Sequence, residues 1–227
     1  MKSTSVSFGS VSVEAVGRSL GVPRHRATTP TKVTRPAATS TTIDRTDTRA
    51  NSSSLADSEG MEGKLEILER GRLLAFSFDD LMLYHGPGSP GGVAHAFKVL
   101  ERALPLLEPA GRCERREIVI ETAFGGPGAR DAIEMATRAA TDGRFQVTSA
   151  LERPELGRTR ERFVFHVAYR NRETTLVLRE GFVTDEFLDL ARTEERTADQ
   201  EQHLDRLKLD MAERVIARPP AEVYDAE

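Results

Sequence analysis

Cysteine is almost missing from this chain: 227 residues contain one, Cys113. A single thiol excludes an internal disulfide framework and any metal cage made only of cysteines from one chain. No apolar run is long enough to span a bilayer. An excess of positive charge is missing as well. The formal net charge is −4, with a sequence pI near 5.8. Acidic and basic residues are interleaved, whereas a nucleic-acid face clusters Lys and Arg on one element. Together these absences point to a soluble, cytoplasmic protein in a reducing environment, with neither a membrane nor a nucleic acid as partner.

The composition is uneven along the chain. Residues 1 to about 60 are rich in Ser, Thr, Ala and Arg, with runs such as Thr39-Ser40-Thr41-Thr42 and no sustained helical or strand period. Such a stretch buries too little apolar surface to offset the entropy of ordering its backbone, and a disordered extension is expected. Before Ile43 it carries Lys2, Arg18, Arg24, Arg26, Lys32 and Arg35 against Glu14 alone. That is also the composition of an organelle transit peptide. A plain extension, or a true start at Met61, is the favoured reading. Residues 61–227 then form one α+β domain.

Within that domain, Lys64 to Phe78 reads as a lead-in strand or turn, followed by a short helix over residues 77–84. Ser89-Pro90 is an N-cap and first-turn pair. Val93, Phe97, Leu100 and Leu104 recur at helical spacing, and Pro105 should end that helix. Ile118-Val119-Ile120 suits a buried strand. Gly125 to Gly128 lead into a helix that Asp142-Gly143 should stop. Residues 144–149, 162–169 and 173–179 read as three further strands, the last two joined by a short hairpin turn. Thr184-Asp185-Glu186 opens a helix, and a last one runs from about Glu194 to Ala217 with an apolar stripe of Leu204, Leu207, Met211 and Val215. The pattern predicts an antiparallel β-sheet packed with helices, rather than a run of βαβ units.

Two glycine-rich turns precede helices. Gly86, Gly88 and Gly91 satisfy G-x-G-x-x-G, but a dinucleotide site needs that motif directly after a strand, and here a helical or irregular segment precedes it. The general physics of a helix start survives: unpaired first-turn amides attract an anion, and glycine lets it come close. Gly88, Ser89, Gly91 and Gly92 at one turn, with Gly128 and Arg130 at the other, are the candidate ligand contacts. Arg130 could fork onto a carboxylate or phosphate. His85 is the candidate general acid or base, oriented by Ser89 or Asp131. His95 and His166 fall in patterned segments where packing is expected. His203 is expected to be solvated, and Cys113 to be a surface thiol.

The stretch YHGPGSPGGVAHAFKVL resembles the opening motif of the FmdE family, which comprises a formylmethanofuran dehydrogenase component and its stand-alone relatives. That motif is approximately F-H-G-H-x-C-P-G before a helix, and Tyr84, His85, Gly86, Pro90 and Gly91 carry the likeness. ETAFGGPGARDAIEMATRAATDGRFQV is similar to the second motif of that family at Glu121, Thr122, Asp131, Ala132, Ile133, Thr137 and Gly143. The closing helix and its Ala-Pro tail are similar too, so the likeness covers roughly residues 77–225. It implies an α+β fold of the FmdE-like type, and a homodimer for which the stripe on the last helix offers a surface. In the family a histidine and two cysteines are thought to hold a transition metal. Here His85 is the one retained ligand: Ser89 replaces the first cysteine, the second position falls near Gly128, and Pro87 replaces a second histidine. A serine hydroxyl is a poor stand-in for a thiolate, so no family-type metal site is expected. A weak remnant would need His85 with Glu121 or Asp131. The reading that follows is a non-catalytic protein that binds a small anionic ligand. The alternative is an enzyme using His85.

Overall fold

In the computed structural model of the chain, residues 63–227 are described. The expected disorder of residues 1–60, the transit-peptide reading and the Met61 start all fall outside them. The fold class is α+β.

The first element is a hairpin that sequence reading reduced to a lead-in. Strands β1 (Leu65–Glu69) and β2 (Arg72–Phe76) pair antiparallel. Arg70 and Gly71 between them both take positive φ, 53° and 74°, a pairing whose twist matches a two-residue hairpin. Their amides donate to the two carboxylate oxygens of Glu114, at 3.0 and 2.9 Å. Helix α1 (Phe78–His85) opens with a capping box. Ser77 Oγ accepts from the Asp80 amide, and the Asp80 carboxylate accepts from the Ser77 amide. That bond from the Ser77 amide holds the Asp80 carboxyl below its ordinary range.

Helix α2 (Pro90–Leu107) is the centre of the domain. Val93, Phe97, Leu100 and Leu104 are buried, as their spacing predicts. Pro105 does not end the helix. It lies in the last turn, where it removes one amide bond while two more residues keep helical geometry before Glu108. Strand β3 (Ile118–Thr122), helix α3 (Pro127–Thr137) and strand β4 (Phe145–Val147) follow. β4 runs parallel to β3, so this part is a βαβ unit and the sheet is mixed, not purely antiparallel. α3 stops at Thr137, ahead of Asp142-Gly143, because Arg138 adopts the left-handed conformation at φ 58° and its amide closes on Glu134 O at 2.8 Å.

Strands β5 (Val164–Tyr169) and β6 (Arg172–Leu178) form the expected hairpin through Arg170-Asn171. Thr184 caps α4 (Asp185–Arg192), and a Thr197–Gln200 capping box starts α5 (Ala198–Ile216). The short helix α6 (Pro220–Val223) and strand β7 (Tyr224–Ala226) close the chain. The main sheet has the order β4-β3-β5-β6-β7, antiparallel except at β3–β4. α2 packs against α3 and α5 and against the sheet through β5 and β6. Ile118, Ile120, Phe165, Val167, Leu176 and Leu178 fill the interior. Each such side chain contributes roughly 1.5–3 kcal/mol relative to exposure.

On α5, Leu204, Met211 and Val215 are buried within this domain, so three of the four stripe residues are already covered by the chain itself. Cys113 is buried at 1% exposure, not a surface thiol. Its carbonyl accepts from the Leu68 amide at 2.9 Å, which docks it under the hairpin, and burial pushes its thiol up to about 12. No helix among the described residues is long and apolar enough to cross a membrane.

Candidate functional site

Pro90 and Pro127 occupy the first positions of α2 and α3, each setting φ for the helix while lacking an amide that would have no partner. Neither start is capped by a side chain. Ser89 was expected to cap α2, yet at φ −144°, ψ 60° its hydroxyl makes no cap bond, and Gly126 has no side chain to offer. Among the described residues, the amides of Gly91, Gly92, Gly128 and Ala129 donate to no group. Helix starts that are buried without acceptors are rare, because an orphaned N–H loses its water and gains nothing.

The two starts lie side by side. A Cβ on Gly128 would stand 2.3 Å from Ser89 O and 2.9 Å from Val93 N, and one on Gly92 would stand 3.1 Å from Ala129 N. Glycine is therefore needed at 128 for backbone-to-backbone approach of α2 and α3, while a Cβ at 92 would ask the facing backbone to give by a few tenths of an ångström. Beside this contact lies a cavity of about 160 Å³. Ser89, Gly91, Gly92 and Gly128 border it on the amide side. Phe124, Phe163, Phe187 and Met211 form its apolar walls, and Lys208 of α5 borders it, with its backbone carbonyl oxygen 3.4 Å from where a Gly91 Cβ would stand.

The candidate contacts divide accordingly. Ser89, Gly91, Gly92 and Gly128 come together at the cavity. Gly88 is exposed, with open space where a Cβ would be, and does not line it. Arg130 does not line it either: its side chain is 62% exposed and lies 3.5 Å from Asp131 Oδ1. Lys208 does border the cavity, and its Nζ donates to Asp205 Oδ1 at 3.0 Å. Sequence reasoning missed Lys208 because α5 is charged along most of its length, and nothing local marks which of its residues borders the cavity. Phe124, Phe163 and Phe187 were missed because they come from three separate segments.

His85, the last residue of α1, places Nδ1 2.8 Å from Asp131 Oδ2 on α3. Its side chain is 9% exposed, and Nε2 is buried with no hydrogen-bond partner. Neither ring nitrogen is met by a backbone group. Ser89 makes no hydrogen bond to either member of the pair among the described residues, and His85 does not line the cavity. The carboxylate can hold the proton on Nδ1 and leave the Nε2 lone pair unused, an arrangement suited to a general base or to an interhelical pin.

Among the described residues, no group of three or more His, Cys, Asp and Glu stands close enough to hold a metal ion. His85 has Asp131 beside it, while Glu121 sits opposite His166 in the β3–β5 register. One imidazole, one carboxylate and no thiolate do not fit a resident transition metal.

His95, on α2, is fully buried. Nδ1 lies 2.9 Å from the Tyr224 hydroxyl, and Nε2 has no partner. Burial pushes its pKa down to about 3, so the ring is neutral. Its ring lies 4.8 Å from that of Phe163 and 6.4 Å from that of Phe124, centroid to centroid, and these two phenyl rings stack at 4.4 Å. The other two histidines among the described residues are partnered. His166 Nδ1 lies 3.2 Å from Thr175 Oγ1, and His203 Nε2 lies 2.7 Å from Glu186.

Comparison of the chain with protein-family models gave no match, and comparison with curated proteins gave none.

Proposed function

We propose that the domain is a cytoplasmic, non-catalytic binding or accessory module of the FmdE-like type, and that it holds a small anion where α2 and α3 begin. The observation that carries this reading is the set of four amides, on Gly91, Gly92, Gly128 and Ala129, left without acceptors at two adjoining helix starts. Two positive dipole ends beside a cavity bordered by Lys208 favour negative charge there. Lys208, rather than Arg130, is the basic residue that borders it. A thermal-shift panel of acetate, bicarbonate, sulfate and phosphate tests the reading. At least one should raise the melting temperature, Lys208→Gln should remove most of the gain, and Arg130→Gln should leave it. A flat response across the panel overturns it.

The 2.8 Å His85–Asp131 pair with its unused Nε2 favours a second reading, an enzyme in which His85 takes or gives a proton. A hydrolysis screen over small esters and amides is the check. Any true activity should fall by at least about a hundred-fold in both His85→Asn and Asp131→Asn, in line with general acid–base contributions. Activity that survives both substitutions eliminates it.

A further inference from the structure

The outer faces of α1 and α5 carry large apolar side chains in the open. Leu83 of α1 is 84% exposed and Leu209 of α5 is 52% exposed. An open groove runs between the two helices, lined by Phe78 and Met82 on α1 and by Leu209, Ala212 and Ile216 on α5. Met82 also borders the hollow beside Leu83, so the apolar surface continues from one helix to the other. Asp79 and Glu213 stand at its margins. Single exposed leucines need no explanation, whereas a contiguous apolar patch rimmed by charge marks a contact surface.

At about 100° per residue, Leu209 and Ile216 lie on one side of α5 and Leu204, Met211 and Val215 on the other. The stripe read from the sequence is thus the side of α5 that its own domain covers, and the Leu209 side is left open. Arg206 and Glu213 are both exposed, and among the described residues neither side chain forms an ion pair or a hydrogen bond. Seven residues apart, they share one flank of the line from Leu209 to Ile216. When two identical helices pack antiparallel about a two-fold axis, equal flanks meet. With the axis level with Leu209 and Asp210, residue 206 of each helix comes opposite residue 213 of the other, so opposite charges meet on both sides of the axis. A parallel pair would put those flanks on opposite sides and leave both charges unmatched.

We infer that a second copy of this chain docks on this face, with the two α5 helices antiparallel. Leu209 of each copy enters the α1/α5 groove of the other, and Arg206 of each pairs with Glu213 of the partner subunit. The face is self-complementary, as a two-fold contact demands: it holds both the projecting leucine and the groove, and both the cation and the anion. A foreign partner would need only one member of each set to be present here. The seam from Arg206 to Ile216 is about 15 Å long, or roughly three turns. Such a short seam fits a weak, reversible dimer in the micromolar range rather than an obligate one. The inference is independent of the anion reading above.

Sedimentation equilibrium of the full chain, over about 1 to 200 µM, tests the inference. The mass should rise with concentration from 25.1 kDa toward twice that value. Leu209→Asp should weaken association by at least about thirty-fold, because a carboxylate would then face the apolar groove. Leu209 is half exposed, so that variant should keep its fold, and an unchanged thermal melt confirms it. Arg206→Glu and Glu213→Arg should each weaken association by about ten-fold, since each sets like charges together twice per dimer. The double variant R206E/E213R exchanges the charges and should return to within about three-fold of the unaltered protein. A mass of 25.1 kDa at every concentration, which would leave the face to a different protein, overturns the inference. So does a dimer indifferent to Leu209→Asp, or a double variant no tighter than the singles.

Discussion

The two ends of α3 are treated in opposite ways. At its C-terminus the last carbonyls are taken up by arginines from elsewhere in the chain. Arg115 donates to Ala136 O at 2.9 Å and to Met135 O, and Arg144 donates to Thr137 O at 3.0 Å. Those guanidinium groups are themselves matched by Glu69 and Asp142, with Arg116 bridging the two carboxylates. Cations belong at this pole of a helix, and here acceptors and donors are both accounted for. At the N-terminus Gly128 and Ala129 find nothing, and neither do Gly91 and Gly92 of the adjoining helix. A chain able to complete one pole from its own side chains leaves the other incomplete beside a cavity. The closed pole supports the fold, and the open one is the place to look for a ligand.

The comparison can be broken or sharpened by measurement, and the largest effect concerns the buried imidazole behind the open pole. His95 has its pKa lowered to about 3 in the folded protein against an ordinary value of 6.5. The unfolded chain therefore takes up a proton that the native one refuses as pH falls from 6.5 toward 3. This contribution is fully present above pH 6.5 and is lost on acidification, amounting to about 3 kcal/mol by pH 4. Urea unfolding from pH 7 to pH 4 should show that slope, and His95→Gln should flatten it.

Next in size is Gly128→Val. Its Cβ would meet Ser89 O and Val93 N well inside contact distance, and a cost of about 3 kcal/mol is expected from forcing apart two packed backbones. Gly88→Ala, with open space around it, should cost less than about 0.5 kcal/mol. Equal costs would show that the helix starts are not locked together.

At the closed pole, Arg115→Ala should cost about 2 kcal/mol in the same unfolding assay, because it strands two helix carbonyls and leaves Glu69 with Arg116 alone. The bond from Arg116 holds the Glu69 carboxyl below its ordinary range, and the bond from Arg144 does the same for Asp142. Their support is present at neutral pH and fades as acid titration passes through those lowered values. The smallest effect is that of Arg130→Ala, an exposed side chain whose removal should change stability by less than about 0.5 kcal/mol.

The long periodic elements were legible in the sequence, because burial and periodicity coincide in α2, β3 and the β5–β6 hairpin. The β1–β2 hairpin was not: β2 has no fully buried residue and exposes Leu73, so its alternation carries little signal. The parallel β4 strand is three residues long with two of them exposed, and β7 is equally short, so both depend on neighbours far away in sequence. Cys113 sits in a polar run, and its burial between the β1–β2 hairpin and the Leu104 turn of α2 is set by tertiary packing. At the candidate site, the like forms of the two glycine turns raised a shared pocket only as an expectation, and their adjacency comes from the packing of α2 on α3. The phenyl walls and Lys208 were not, since they are gathered from β3's end, β5's start, α4 and α5 by tertiary packing.

The glycine contact between α2 and α3 has a consequence for fit. Backbones that touch at residues 92 and 128 have no side chains to swing aside, so that floor is rigid. Phe187 on α4 and Met211 on α5, by contrast, line the cavity with side chains that have alternative rotamers. Any adjustment of the cavity to an occupant therefore falls to those side chains, while the two touching backbones hold their spacing.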